Sequence, residues 1–232
     1  MKIVVVSAGL SVPSSTRLLA DRLAAAVRRA APAGEPGSGP SAVDVRVIEV
    51  RDLAVPIAHQ LTSGFPGREL AAAQDAVTGA DGLIVVTPVF SASYSGLFKS
   101  FFDVLDKDAL VGKPVLIAAT GGSARHSLVL DHALRPLFSH LRAVVVPTGV
   151  YAASEDWGAE GLDARVERAA GELAALIGLP GRDAGRDAGR PADGAGAATP
   201  VAATPVAGAV PARAKDRFDV VPFAQQLAAL AL

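Results

Sequence analysis

Residues 7–20 read SAGLSVPSSTRLLA, and the first ten of them include five hydroxyls: Ser7, Ser11, Ser14, Ser15 and Thr16. Short O–H donors crowded into one loop, with the Arg17 guanidinium beside them, are what the three oxygens of a phosphate monoester require. The run before the loop is IVVV (residues 3–6), and after Thr16 the chain turns apolar at helical spacing, with Leu18, Leu19, Leu23, Ala26 and Val27. The hydroxyls therefore fall where a buried strand hands over to a helix. A helix N-terminus adds free amides and the positive end of a dipole, an anion site in itself. A cap needs one such residue; here Ser14, Ser15 and Thr16 stand in succession, with Ser11 before them. There is no GxxxxGK[ST] to grip a triphosphate and no GxGxxG to cradle a dinucleotide. The pattern that remains suits a mononucleotide phosphate.

Two further loops carry polar and glycine residues after apolar runs: TPVFSASYSGLFKSFFD from Thr87, and ATGGSARHSLVLDHALRPLF from Ala119. The runs that lead into them, residues 83–87 and 115–120, join 3–6, 43–50 and 144–147 as five strand candidates. Four are continuous, as for strands covered on both faces. The run at 43–50 alternates, as for an outer strand. Helical patterns lie between them, at 16–30, 69–78, 95–105 and 127–140, with a last one at 162–177. Strict alternation of strand and helix means a parallel sheet wound by helices on both faces. The expected fold is α/β, an open five-stranded parallel sheet in the flavodoxin-like order 2-1-3-4-5. In such a sheet ligands sit outside the carboxyl ends of the strands, where all three loops lie.

The chain has 232 residues, half of them hydrophobic, a net charge of −1 and no cysteine. That charge offers nothing to nucleic acid or an anionic membrane. The missing thiols exclude disulfides, thiolate nucleophiles and cysteine-ligated metals. The four histidines are scattered without ligand spacing, so no metal site is expected. No secretory or membrane-spanning segment is read, and a cytoplasmic location is expected.

The second and third loops in combination resemble the NADPH-dependent FMN reductases, flavodoxin-like flavoproteins; with the first loop the resemblance covers residues 1 to about 178. It implies that Ser11, Ser14, Ser15 and Thr16 hold the phosphate of FMN. It also implies that Pro88, Val89, Phe90 and Ser91, with Tyr94 beside them, lie against the isoalloxazine ring. The resemblance likewise implies that Gly121, Gly122 and Ser123 meet the pyrimidine edge. Phe90 stands where many members have Tyr. The chemistry fits these residue types: a reduced flavin carries negative charge over N1 and C2=O, which backbone donors favour, and glycines let a backbone approach closely. No side chain is expected to act as acid, base or nucleophile. Plainer readings stand beside these: Gly121-Gly122 as a turn, Tyr94 as a rim aromatic, Trp157 as packing, and Lys99 and Arg125 as exposed cations.

The implied activity is hydride transfer from NADPH or NADH to FMN N5, with electrons passed to an acceptor, free flavin first. Quinone- or azo-type reduction on the same fold and a flavodoxin-like electron carrier are the alternatives; carriers tend to be strongly acidic, unlike this chain. A flavin-dependent monooxygenase is the expected kind of protein partner. The catalytic domain is expected over 1–180. Residues 181–213, with the repeat GRDAGRDAGR, read as a disordered linker, and 214–232 as a short helical segment. Phe98 and Phe102, i and i+4, are expected to form a second apolar strip on their helix. Left open, that strip would build a homodimer, and the resemblance adds dimers or tetramers.

Overall fold

The first valine run forms β1 (Lys2–Ser7), buried from Ile3 onward. It leads through the hydroxyl loop into α1 (Ser15–Ala30). In this computed structural model residues 1–31, 43–159 and 161–178 are described, and they belong to one compact unit. The stretch from residue 32 to 42 and the segments 181–213 and 214–232 lie outside the described residues. Next come β2 (Asp44–Glu49), α2 (Ala54–Ser63), α3 (Arg68–Thr78), β3 (Gly82–Phe90), the short β4 (Ser93–Tyr94) and α4 (Gly96–Asp103). Then follow β5 (Pro114–Gly121), α5 (Arg135–His140), β6 (Val144–Val145), β7 (Val150–Ala153) and α6 (Leu162–Gly178).

The sheet runs β2-β1-β3-β5-β6, with β4 paired to β3 and β7 paired to β5. All pairings are parallel except the β3–β4 hairpin. The expected order is met along the main path, but among the described residues the sheet has seven strands rather than five. The edge run at 144–147 breaks after two residues. The carbonyls of Val146 and Pro147 accept from the Arg135 guanidinium at 3.2 and 3.0 Å, and Thr148 N–H donates to Glu172 at 2.7 Å. Pro147 has no amide to continue a ladder. The strand resumes as β7, beside the carboxyl end of β5.

One face of the sheet is covered by α1 and α6, through Leu19, Leu23 and Val27 and through Leu162, Val166 and Leu173. The other is covered by α2 to α5, through Ile57, Leu70, Val77, Phe98, Phe101 and Phe138. Each buried large side chain contributes about 1.5–3 kcal/mol. Ser14 caps α1 by accepting from Arg17 N–H, and Arg28 and Arg29 meet the negative end of its dipole.

Two expectations are corrected here. Phe98 and Phe102 are not an exposed strip: they are 0% and 2% exposed. Phe138 of α5 covers them, with ring centroids 6.3 and 5.0 Å away, so α4 has a buried second side. The helix expected over 127–140 is a 3-10 turn (Ala124–His126), a π-helical turn (Leu130–Leu134) and α5. Pro136 lacks the amide that would close an α-turn on His132, and Arg135 N–H instead reaches back to Leu130 O.

Candidate functional site

Because the long strands are parallel, the loops after β1, β2, β3, β5 and β7 share one edge. At the end of β1, Gly9 lets the loop close against the helix cap: a Cβ there would collide with Ser14 Oγ. The amides of Ser11, Ser14, Ser15 and Thr16 have no hydrogen-bond partner among the described residues. The side chains of Ser11 and Ser15 are exposed, and Ser14 is half-buried. Thr16 is buried, and its hydroxyl lies 2.8 Å from that of Thr120. One of these two hydroxyls donates to the other, and the acceptor keeps its own hydrogen for a third group. Ser7 Oγ is buried without a partner among the described residues. Ser7 pairs in register with Glu49, and Arg17 donates to Glu49 Oε1 at 2.5 Å and to Asp21 at 2.8 Å. Those bonds, Glu49 first, hold its guanidinium above the usual range. Arg17 is thus committed to two carboxylates. A different guanidinium, Arg51, reaches the loop and donates to Ser11 O at 3.1 Å.

The β3–β4 hairpin carries the second set. Thr87 is fully buried and accepts from Ser95 N–H at 3.0 Å, which fixes the return of the hairpin. Pro88 and Val89 are half-buried, and Phe90 is 47% exposed. Ser91 and Ala92 form the tip, with φ of 49° and 65°. Two successive positive φ values at a two-residue connection are the type I′ arrangement. Tyr94 is half-buried and lies on Phe98, with centroids 5.9 Å apart.

The third set follows β5. Gly121 is held to glycine by Tyr151, whose hydroxyl occupies the place of a Cβ. That hydroxyl donates to Ser123 O at 2.8 Å. The amides of Gly122 and Ser123 have no partner among the described residues. Burial first, and then the charges of Glu155 and Asp156, push the Tyr151 phenol above its ordinary value, so it remains a donor at neutral pH.

The three sets meet. Pro88 pairs in register with Thr120, and Thr120 bonds Thr16. Arg51, Thr120, Tyr151 and Glu155 join this edge without having been singled out from the sequence, and Ser7, counted there among the hydroxyls, joins it from the end of β1. Their signal is position: Ser7, Arg51, Thr120 and Glu155 stand at or just beyond the carboxyl end of a strand, whereas Tyr151 lies within β7 and reaches the edge through its long side chain. Trp157 lies under the Arg22 guanidinium, 5.2 Å from ring centre to Cζ, and packs against the α1–α6 side of the core. Lys99 pairs with Asp103, and Arg125 is exposed. Two concavities lie near these elements, the larger between α4 and α5. One of about 500 Å³ includes Tyr94, Lys99, His132 and His140, and one of about 300 Å³ includes Ser127, Tyr151 and Arg165. Among the described residues no cluster of His, Asp and Glu is arranged to hold a metal ion.

Chemically, the edge offers a row of amides unpaired among the described residues, with the exposed Ser11 and Ser15 hydroxyls, for an anion at the α1 end. At the β5 end it offers a pair of unpaired amides, and an exposed aromatic, Phe90, stands on the hairpin between them. The chain matches the family model described as NADPH-dependent FMN reductase over residues 1–158. It is 43% identical over 182 residues to FMN reductase (NADPH) of Pseudomonas aeruginosa, covering 76% of this chain and 92% of that one. It is 42% identical over 183 residues to the NADH-dependent FMN reductase SfnF of Pseudomonas fluorescens, covering 77% and 92%. An oxidoreductase structure from Corynebacterium diphtheriae superposes with a TM-score of 0.70 at 51% identity, over 76% of this chain and 96% of that one. The chain belongs to the NADPH-dependent FMN reductase family.

Proposed function

We propose that this protein is an NAD(P)H-dependent FMN reductase that passes its electrons to a small acceptor, free flavin first. The observation that carries the reading is the row of amides at Ser11, Ser14, Ser15 and Thr16 that have no partner among the described residues, with the exposed Ser11 and Ser15 hydroxyls and the orphaned Ser7 hydroxyl beside them. Such a donor set fits a phosphate monoester. The unpaired Gly122 and Ser123 amides fit the electron-rich edge of a flavin ring. When bound, FMN supplies the redox chemistry, taking a hydride from the nicotinamide and releasing its electrons to the acceptor. The protein binds and orients: Ser11, Ser14, Ser15 and Thr16 on the phosphate, Pro88, Val89, Phe90, Ser91 and Tyr94 along the ring, and Gly121, Gly122 and Ser123 at its pyrimidine edge.

The two relatives are named for different nicotinamides, NADPH and NADH, and both are taken here as donors. Catalysis is assigned to residues 1–180, in keeping with a family match that ends at 158. Residues 181–213 then serve as a linker and 214–232 as a docking segment, with a flavin-dependent monooxygenase as its kind of partner. A cytoplasmic setting goes with an intracellular nicotinamide supply and a chain without cysteine.

The test is a double substitution, Ser11→Ala with Ser15→Ala, which leaves the Ser14 cap and the Thr16–Thr120 bond in place. Two bonds to a charged phosphate at about 1.5–3 kcal/mol each predict at least about a hundredfold weaker FMN binding. Fluorescence titration reads it, with thermal melting to show an unchanged fold. Unaltered affinity would remove the phosphate assignment.

A further inference from the structure

The peptide between Ser123 and Ala124 is held at both of its polar atoms. Its carbonyl oxygen accepts from the Tyr151 hydroxyl at 2.8 Å, and its N–H donates to Glu155 Oε1 at 3.1 Å. The same carbonyl takes a longer bond from His126 N–H at 3.5 Å. Tyr151 stands in β7 and Glu155 in the turn directly after it, so a single element grips one peptide from both ends. A peptide unit is planar, and bonds at its two opposite polar atoms fix its rotation. The grip is rigid on the Tyr151 side: the residue is 6% exposed, and its hydroxyl fills the space beside Gly121. Immediately before the held peptide come the Gly122 and Ser123 amides, unpartnered among the described residues.

We infer that Tyr151, with Glu155, is a positioning residue for the flavin: it holds the Ser123–Ala124 peptide so that the Gly122 and Ser123 amides face the negative charge of reduced FMN. This rests on the reading that the sheet edge binds FMN. Donors fixed in advance stabilise a charge without reorganising when it arrives. A turn free to rotate loses conformational entropy at that moment. The grip therefore acts on the charged, reduced flavin more than on the neutral, oxidised one, and packing alone would not separate the two.

Tyr151→Phe keeps the ring against Gly121 and removes only the hydroxyl. The full-length wild type and variant are titrated with oxidised FMN in air and with pre-reduced FMN under anaerobic conditions, and the midpoint potential of bound FMN is measured in each. The expected result is about three- to tenfold weaker binding of reduced FMN, the worth of one hydrogen bond. Oxidised FMN should change by less than about twofold, and the midpoint potential should become more negative. Glu155→Ala releases the other end of the same peptide but also removes a negative charge, so it is compared with Glu155→Gln, which removes the charge and keeps an acceptor for Ala124 N–H. The Ala variant should bind reduced FMN more weakly than the Gln variant, and this pair serves if Tyr151→Phe does not fold. Equal weakening of both redox forms, or no change in either, overturns the positioning role while leaving the flavin reading intact. A wild-type chain that binds FMN in neither state overturns both.

Discussion

Ser91 and Ala92 sit at the tip of the β3–β4 hairpin with φ of 49° and 65°, a conformation that side chains rarely adopt. Each such residue costs about 1–3 kcal/mol, and strain of this kind gathers at ligand-binding loops. The type I′ turn is best met by Asn-Gly. Ser91→Asn with Ala92→Gly should therefore stabilise the protein. Part of the relief is offset by the greater freedom of glycine in the unfolded chain. A net gain of about 1 kcal/mol corresponds to a rise of about 2–4 °C in melting temperature for a chain of this size. A drop on calorimetry would show that the tip is not strained in the way its dihedrals indicate. Residues of this kind mark the limit of sequence reading. The junction that carries Ser11, Ser14, Ser15 and Thr16 was legible, because hydroxyls between an apolar run and a helical period have a local meaning. The Thr16–Thr120 bond spans 104 positions, and Tyr151 is defined by its contact with Gly121 and Ser123. No local pattern carries contacts of that range.

Among elements, β1, β3 and β5 were readable as continuous apolar runs, and β2 as an alternating edge strand, because a parallel sheet buries its inner strands on both sides. Observed burial follows that division, complete from Ile3 in β1 and mixed along β2. Helix α2 left no such trace: it buries only Ile57 and carries Pro56 in its first turn, where proline is tolerated. The two-residue β4 is too short for any period to show. Helix α4 was located correctly, with Ser95 capping it through Phe98 N–H, but its environment was not. Whether Phe98 and Phe102 face solvent depends on where Phe138 arrives from another helix, and periodicity within α4 holds no information on that.

At the scale of the whole molecule, the buried α4 moves the argument for self-association to another surface. Helix α2 and the turn after it expose Val55 at 80%, Leu61 at 56% and Phe65 at 77%. Apolar side chains gathered on one exposed helix mark a surface that a partner covers. A second copy of the chain is the proposed partner, giving a homodimer or a tetramer. Light scattering of the full-length protein at micromolar concentration should report at least a dimer, and Val55→Glu with Phe65→Glu should shift it to monomer. A wild-type monomer would contradict the assembly while leaving the chemistry untouched. The reductase assignment rests on the family match and stands apart from that question. It is tested most directly by anaerobic titration of the FMN-loaded, full-length protein with NADPH and with NADH, followed by the visible absorbance of the flavin. The account predicts that at least one nicotinamide bleaches the bound flavin with one equivalent of donor and no other protein present, and that air restores the colour. Bound FMN that stays oxidised in the presence of both donors would contradict it.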